Sequence, residues 1–408
     1  MSKEEKRVPE LRFEGFHDDW KQRKLSELMT FSNGINAPKE NYGKGRKMIS
    51  VMDILQEAPI KYENIRNSVK VDEKIEAKNK VENGDLVFVR SSEVREEVGW
   101  AKAYLEEKYA LYSGFSIRGK KQNEFNSHFI ELTLNSVNRK QLERKAGGST
   151  RFNVSQNILN NVKIFSPTIE EQNKIDKLFK IFNDAITLHQ RKLEQLRELK
   201  KAALQTLFPQ KTETEPRVRF ANFNEPWKAR KLGDYLSIPK KEKKVVKKSD
   251  ELITVKLNLG GVVLGSSRDT LSLGATAYYV RHSGQLIYGK QNFFNGSIAI
   301  IPDNLDGKAS SGDVPSFDII NINSDYLYTF ISRPVYWKQK EAFASGTGSK
   351  RIHESTFLNF DICLPNTYDE QQAIGCYFKK LEKLTILYQS KLERLLSLKK
   401  SFLQKMFI

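Results

Sequence analysis

The chain has 408 residues, 39% hydrophobic and 11% aromatic, with 68 Lys and Arg against 50 Asp and Glu and a formal net charge of +18. This composition excludes a disordered chain, and the length exceeds one ordinary core and suits two domains plus connectors. No apolar run approaches the roughly 20 residues needed to cross a bilayer, and the positive excess points to a polyanion, nucleic acid before membrane.

The start, Met1 to Arg7, is charged with no apolar segment behind it, so it does not read as a secretory signal. An entry motif follows: Arg12, Phe13, Phe16, Trp20, Lys21, Arg23, Lys24 and Leu25. It returns as Arg219, Phe220, Phe223, Trp227, Lys228, Arg230, Lys231 and Leu232, so that eight of the fourteen positions 12–25 are identical at an offset of 207. Lys47-Met48-Ile49-Ser50-Val51 and Leu86-Val87-Phe88-Val89 read as short strands, the second after a Gly turn. A short helix is expected around 137–146. A long helix then begins near Ser166-Pro167-Thr168 with acidic Glu170 and Glu171 in its first turn, and Pro209 stops it. On it Ile175, Phe182, His189, Leu196 and Ala203 recur every seven residues beside Phe179, Ile186, Leu193, Lys200 and Leu207. That period argues for a coiled coil. His189 sits on the apolar row and is assigned no chemistry.

The second half repeats this plan. Glu251 to Val255, Leu286-Ile287-Tyr288 and Ser297 to Ile301 read as strands, and short helices are expected around 325–342. The last helix carries Ile374, Leu381, Tyr388, Leu395 and Phe402 beside Phe378, Thr385, Leu392, Lys399 and Met406. Residues 171–208 and 370–407 match at seventeen of thirty-eight positions at an offset of 199, both opening on Glu-Gln and closing on Leu-Gln-x-x-Phe. At about 1.5 Å per residue each helix spans roughly 57 Å, too long to bury its stripe alone, and its repeat copy is the obvious partner. The expected fold is therefore α+β. Two pseudo-twofold-related α/β domains, 8–165 and 211–365, are joined by two long helices, 166–210 and 366–408, packed as an antiparallel coiled coil.

The matched frames enclose divergent middles, as in one scaffold used twice to recognise two different things. DNA sequence is read by side chains at base edges, and Arg, Asn and Gln suit that task. The candidates lie on turns after strands: Arg90, Ser91 and Ser92 with Thr150, Arg151 and Asn153 in the first half, and Lys290, Gln291 and Asn292 with Ser349, Lys350 and Arg351 in the second. Gly148-Ser149-Thr150-Arg151 is aligned with Gly348-Ser349-Lys350-Arg351. Lys240, Lys241, Lys243 and Lys244 are candidates for phosphate contact.

Catalytic signatures are missing. There is no Pro-Pro pair for a base-gripping methyltransferase loop. Gly260 and Gly265 have P-loop spacing, but Ser266-Ser267 follows in place of the phosphate-binding lysine. Gly346-x-Gly348 is too short for a dinucleotide fingerprint. The cysteines, Cys363 and Cys376, are expected to be buried thiols in a reduced, cytoplasmic setting, and no cluster suggests zinc or a nucleophilic triad. No metal or catalytic residue is assigned. The alternative is a stand-alone metal-dependent nuclease using Asp303, Asp306 and Lys308, against the simpler reading of those residues as a polar turn.

The tandem entry motifs, the Glu171-Gln172 and Glu370-Gln371 helices and the Gly84-Asp85-Leu86-Val87-Phe88-Val89-Arg90 strand resemble the specificity subunits of type I restriction-modification systems, over about residues 8 to 408. The resemblance implies a non-catalytic subunit with two target recognition domains, each reading half of a bipartite asymmetric site in double-stranded DNA. It implies helices that set the gap between half-sites and dock two modification subunits, which use S-adenosylmethionine. Two restriction subunits would supply ATP-driven translocation and cleavage with magnesium, leaving this chain without a cofactor. Gln285 departs from the pattern where the first copy has Asp85, which puts the second Gly turn in doubt.

Overall fold

The computed structural model describes residues 7–210, 213–265, 276–346 and 349–408. The Met1–Lys6 part of the start, Ser266-Ser267 and Gly348 lie outside them. The chain forms two compact units, Met1–His189 with Lys391–Ile408, and Gln190–Ser390.

In the first unit the entry strand Lys21–Lys24 pairs antiparallel with Lys163–Ser166, Lys21 opposite Ser166 and Lys24 opposite Lys163. The entry motif is thus half strand: its charged Lys-x-Arg-Lys faces solvent while Trp20 and Leu25 on either side are buried. A four-stranded antiparallel sheet follows, in the spatial order Met29–Asn33, Ser116–Lys121, Leu86–Val89, Ala101–Ala103. Leu86, Val87, Phe88 and Val89 are all buried because both faces of their strand are covered. A second sheet places Tyr42–Ile49 between Asn67–Val69 and Leu111–Tyr112, the last pairing parallel. The helix Ser127–Asn135, which the periodicity did not reveal, precedes the expected Arg139–Lys145.

The second unit repeats the frame. Lys228–Lys231 pairs with Asp361–Leu364, and a four-stranded sheet runs Leu236–Ser237, Ser316–Ile319, Leu286–Tyr288, Ile298–Ile300. This is the same order of corresponding strands as in the first unit, so the divergent middles share one sheet. The helical stretch around 325–342 is broken into Ser324–Ile331, Pro334–Trp337 and the 3-10 turn Lys338–Phe343. Pro334 starts a new element because it cannot continue an old one.

The long helices run Ile169–Thr206 and Tyr368–Lys405, 38 residues each. Within the first unit Phe182 meets Phe402 with ring centroids 5.4 Å apart and Phe179 meets Phe407 at 5.8 Å. Within the second, Phe208 beyond the first helix meets Phe378 at 5.8 Å, and Lys200 pairs with Glu382. Earlier residues of one helix meet later residues of the other, the antiparallel order expected from the pseudo-twofold repeat.

The Glu-Gln pair that opens each helix has a structural purpose. Glu171 accepts both Nε and Nη2 of Arg12 at 2.8 Å, and Glu370 accepts the same atoms of Arg219 at 2.9 and 2.7 Å. Gln172 takes the Asn126 amide on its side-chain carbonyl at 2.9 Å, and Gln371 takes the Asn323 amide at 3.1 Å. Asn126 and Asn323 are the N-caps of Ser127–Asn135 and Ser324–Ile331. Glu fastens the entry motif and Gln fastens the neighbouring helix.

Asp176 adds a lock in the first unit. His128 Nδ1 lies 2.6 Å from one carboxylate oxygen, and Lys180 and Asn126 donate to the other at 2.9 Å. Burial opposes its ionisation, but these partners outweigh it and hold the carboxyl down at about 2. A depressed folded value stabilises above the unfolded value and is lost as pH falls through the folded one. About 2 kcal/mol is therefore expected to disappear between roughly pH 4 and pH 2. Unfolding measured across that window should show this step in the wild type and lack it in Asp176→Asn.

The thiols depart from expectation: Cys363 is half-buried and Cys376 is exposed. Cys376 falls on the outward side of its helix, beside buried Ile374 and Phe378. Among the described residues no helix is long and apolar enough to cross a membrane.

Candidate nucleic-acid interface

In the first unit the chain leaves the buried strand at Arg90, whose amide donates to Phe115 O at 2.8 Å and whose carbonyl accepts the Val154 amide at 2.9 Å. Ser91–Ser92 then pairs with Phe152–Asn153, Ser92 opposite Phe152. The two candidate turns, sixty residues apart in sequence, become one surface. Arg90 Nη1 donates to Gly114 O at 3.2 Å, Arg151 lies 3.5 Å from Glu93, and its guanidinium sits 5.6 Å from the Phe115 ring centroid. Thr150, Arg151 and Asn153 are exposed, and Arg90, Ser91 and Ser92 are half-buried. Ser92 is engaged with Glu97, Oγ to Oε2 at 2.5 Å, and caps the Val94 amide at 3.1 Å, so it shapes the turn.

The second unit has the same exit. Lys290 donates its amide to Asp313 O at 2.9 Å and accepts the Ile352 amide at 2.9 Å. Its ammonium is 3.2 Å from Glu354 and its side chain is 13% exposed, which makes it an anchored group. Gln291 and Asn292 do not form a strand pair as Ser91 and Ser92 do. They lead into the 3-10 turn Phe293–Asn295, and Asn292 Oδ1 accepts from Asn295 at 3.3 Å. Ser349, Lys350 and Arg351 lie across from this exit, with Lys350 paired to Glu341 at 2.7 Å and Arg351 3.5 Å from Asp313.

The structure moves the match between these turns by two residues. Gly147 and Asn153 exchange backbone hydrogen bonds, and Ser345 and Arg351 do the same. Inside each loop sits a glycine with positive φ, Gly148 at 119° and Gly346 at 115°. A Cβ there would fall 2.1 Å from Arg151 O and 2.5 Å from Ser349 O, so only glycine fits. Gly148 therefore corresponds to Gly346, not to Gly348, and Arg351 stands where Asn153 does, with Ser349 in place of Arg151. Two glycines two positions apart, Gly346 and Gly348, offered two alignments, and the backbone chooses the first.

The doubtful Gly turn is intact. Asp85 accepts the Glu82 amide at 3.0 Å, and Gln285 accepts the His282 amide at 3.0 Å with its side-chain carbonyl. The amide group does the acceptor's work without the charge. In the lysine run, Lys243–Lys244 forms a strand against Tyr278–Tyr279 and Lys244 Nζ donates to Gly307 O at 2.7 Å, while Lys240 and Lys241 are exposed. Of the nuclease candidates, Asp303 opens a 3-10 turn, Asp306 accepts the Ser283 amide at 2.8 Å, and Lys308 donates to Asp250 O at 3.0 Å. These residues build a turn. Among the described residues no group of three or more His, Cys, Asp or Glu could hold a metal ion. Sequence reasoning missed Phe115 and Asp313, which flank the exits. The Ser113-Gly114 turn before Phe115 was the available signal.

Residues 17–198 match the family of type I restriction modification DNA specificity domains. Among solved structures, the chain resembles the type I restriction-modification system S subunit from M. genitalium, at 14% identity over 98% of this chain and 99% of that one, with a TM-score of 0.60. At that identity the likeness speaks for the fold. The HsdS subunit from Thermoanaerobacter tengcongensis is also similar, at 14% identity over 95% of this chain and 96% of that one, but its TM-score of 0.45 carries no argument. No curated protein matches the sequence.

Proposed function

We infer that this chain, which belongs through residues 17–198 to the type I restriction modification DNA specificity family, is the non-catalytic subunit that reads DNA sequence for a type I restriction-modification complex. Each unit reads one half of a bipartite, asymmetric double-stranded site. The helices set the gap between half-sites and dock two modification subunits, with two restriction subunits completing the assembly. S-adenosylmethionine, ATP and magnesium belong to those partners. The observation that carries this reading is one sheet built twice, with different side chains at the same exit: Arg90 beside Phe115 in one unit, Lys290 beside Asp313 in the other. Shared backbone gives a common way to approach a duplex, and changed side chains give different base preferences. The surplus of 18 positive charges supplies the salt-dependent attraction to phosphate, to which Lys240, Lys241, Lys243 and Lys244 contribute.

The test is methylation mapping of DNA from cells carrying this chain with its modification partner. An asymmetric bipartite motif is expected, and methylation without such a motif overturns the reading. Within the complex, Arg151→Ala is expected to cost about 1–3 kcal/mol of binding and relax one half-site only. Equal weakening on all sequences would make Arg151 a phosphate contact.

A further inference from the structure

We propose that Phe115 is a base-reading side chain of the first unit, its ring meeting the 5-methyl group of a thymine; this rests on the reading of the chain as a DNA sequence reader. Phe115 is 52% exposed although it is a large apolar residue. It stands at the tip of a turn between Leu111–Tyr112 and Ser116–Lys121, beside both arginine candidates of its unit. Arg90 is tied to Gly114 O by its side chain and to Phe115 O by its amide, and Arg151 lies over the ring.

The tip is held rigidly. Gly114 donates its amide to Ile35 O at 2.8 Å and Gly34 donates to Ser116 O at 3.2 Å. Any Cβ on Gly34 would come within 2.1 Å of Ser113 O, so the two backbones touch. An exposed ring on a fixed backbone is organised before binding and loses little freedom on contact. Such a ring gains by meeting apolar surface. On the base edges of a duplex, the apolar group that changes with sequence is the thymine methyl in the major groove. The two flanking guanidiniums suit guanine or phosphate and bring the ring close to the base edges.

The second unit supports a specificity role at this place. The residue bonded to the Lys290 amide, as Phe115 is to the Arg90 amide, is Asp313, which faces Arg351. One position thus carries an apolar ring in one unit and a carboxylate in the other.

The experiment uses the full chain assembled with its modification subunits and bound to its mapped site. Each thymine of the half-site read by the first unit is replaced in turn by deoxyuridine, which pairs normally and lacks the methyl. The wild type is expected to weaken about fourfold at one position, the worth of one buried methyl group. Phe115→Ala should bind the thymine and deoxyuridine duplexes equally, at the weaker level, and Phe115→Leu should keep part of the difference. Because the ring is exposed, thermal unfolding of Phe115→Ala should match the wild type. The proposal is overturned if no deoxyuridine weakens the wild type, or if Phe115→Ala still distinguishes the two duplexes. If the complex prefers its mapped site while those results hold, only the Phe115 role falls. If it shows no preference for any site, the reading of the chain as a specificity subunit falls as well.

Discussion

Arg12→Ala is expected to lower the stability of the first unit by about 3–5 kcal/mol, because it leaves a buried carboxylate without its counter-ion. Glu171 is 1% exposed and receives two charge-assisted bonds from Arg12. Water cannot replace them at that depth. Arg219→Ala breaks the equivalent pair in the second unit but should cost less. There Trp227 Nε1 also donates to Glu370, at 3.3 Å, whereas the buried Trp20 Nε1 finds no hydrogen-bond partner among the described residues. Replacing both partners with apolar residues of similar volume, Arg12→Met with Glu171→Leu, should recover most of the loss, since no buried charge then remains. Denaturant midpoints of the three variants check the order. A loss below 1 kcal/mol for Arg12→Ala would mean that Glu171 finds other donors.

Phe407→Ala should destabilise the unit that begins the chain, by about 3–5 kcal/mol, the usual cost of removing a buried aromatic ring. Phe407 stacks on Phe129 at 5.4 Å and meets Trp20 edge-on at 6.4 Å and Phe179 at 5.8 Å. The counterpart, Phe208, sits in the other unit among Trp227, Tyr326, Phe330 and Phe378. Each unit therefore takes its closing phenylalanine from the other repeat. Limited proteolysis read by mass spectrometry should place new cuts of Phe407→Ala within residues 7–189, and those of Phe208→Ala within 190–390. Cuts confined to the neighbourhood of the substitution would contradict this.

The frame was legible because its rare residues answer one another. Arg12 and Glu171, Trp20 and Phe407 recur as a set since each contact needs both members. The heptad rows marked the helices because burial repeats with the turn, and even Lys399 follows the rule, its ammonium pushed down by burial. The exchange of tails was not legible, because sequence order places each helix end with its own half. The middles were hard for a different reason. Ser91-Ser92 finds Phe152-Asn153 through long-range backbone bonds that leave no periodic trace, and the paired glycines at Gly346-x-Gly348 concealed the register.

The borrowed tails set a timetable for synthesis. On the ribosome the second unit has all its parts once residue 390 has emerged, since its closing ring is Phe208. The first unit, made earlier, keeps an open aromatic pocket around Trp20, Phe129 and Phe179 until residues 406 and 407 arrive. The first unit is therefore completed after the second, and a nascent chain that stops before residue 406 presents that unfilled pocket to the cell.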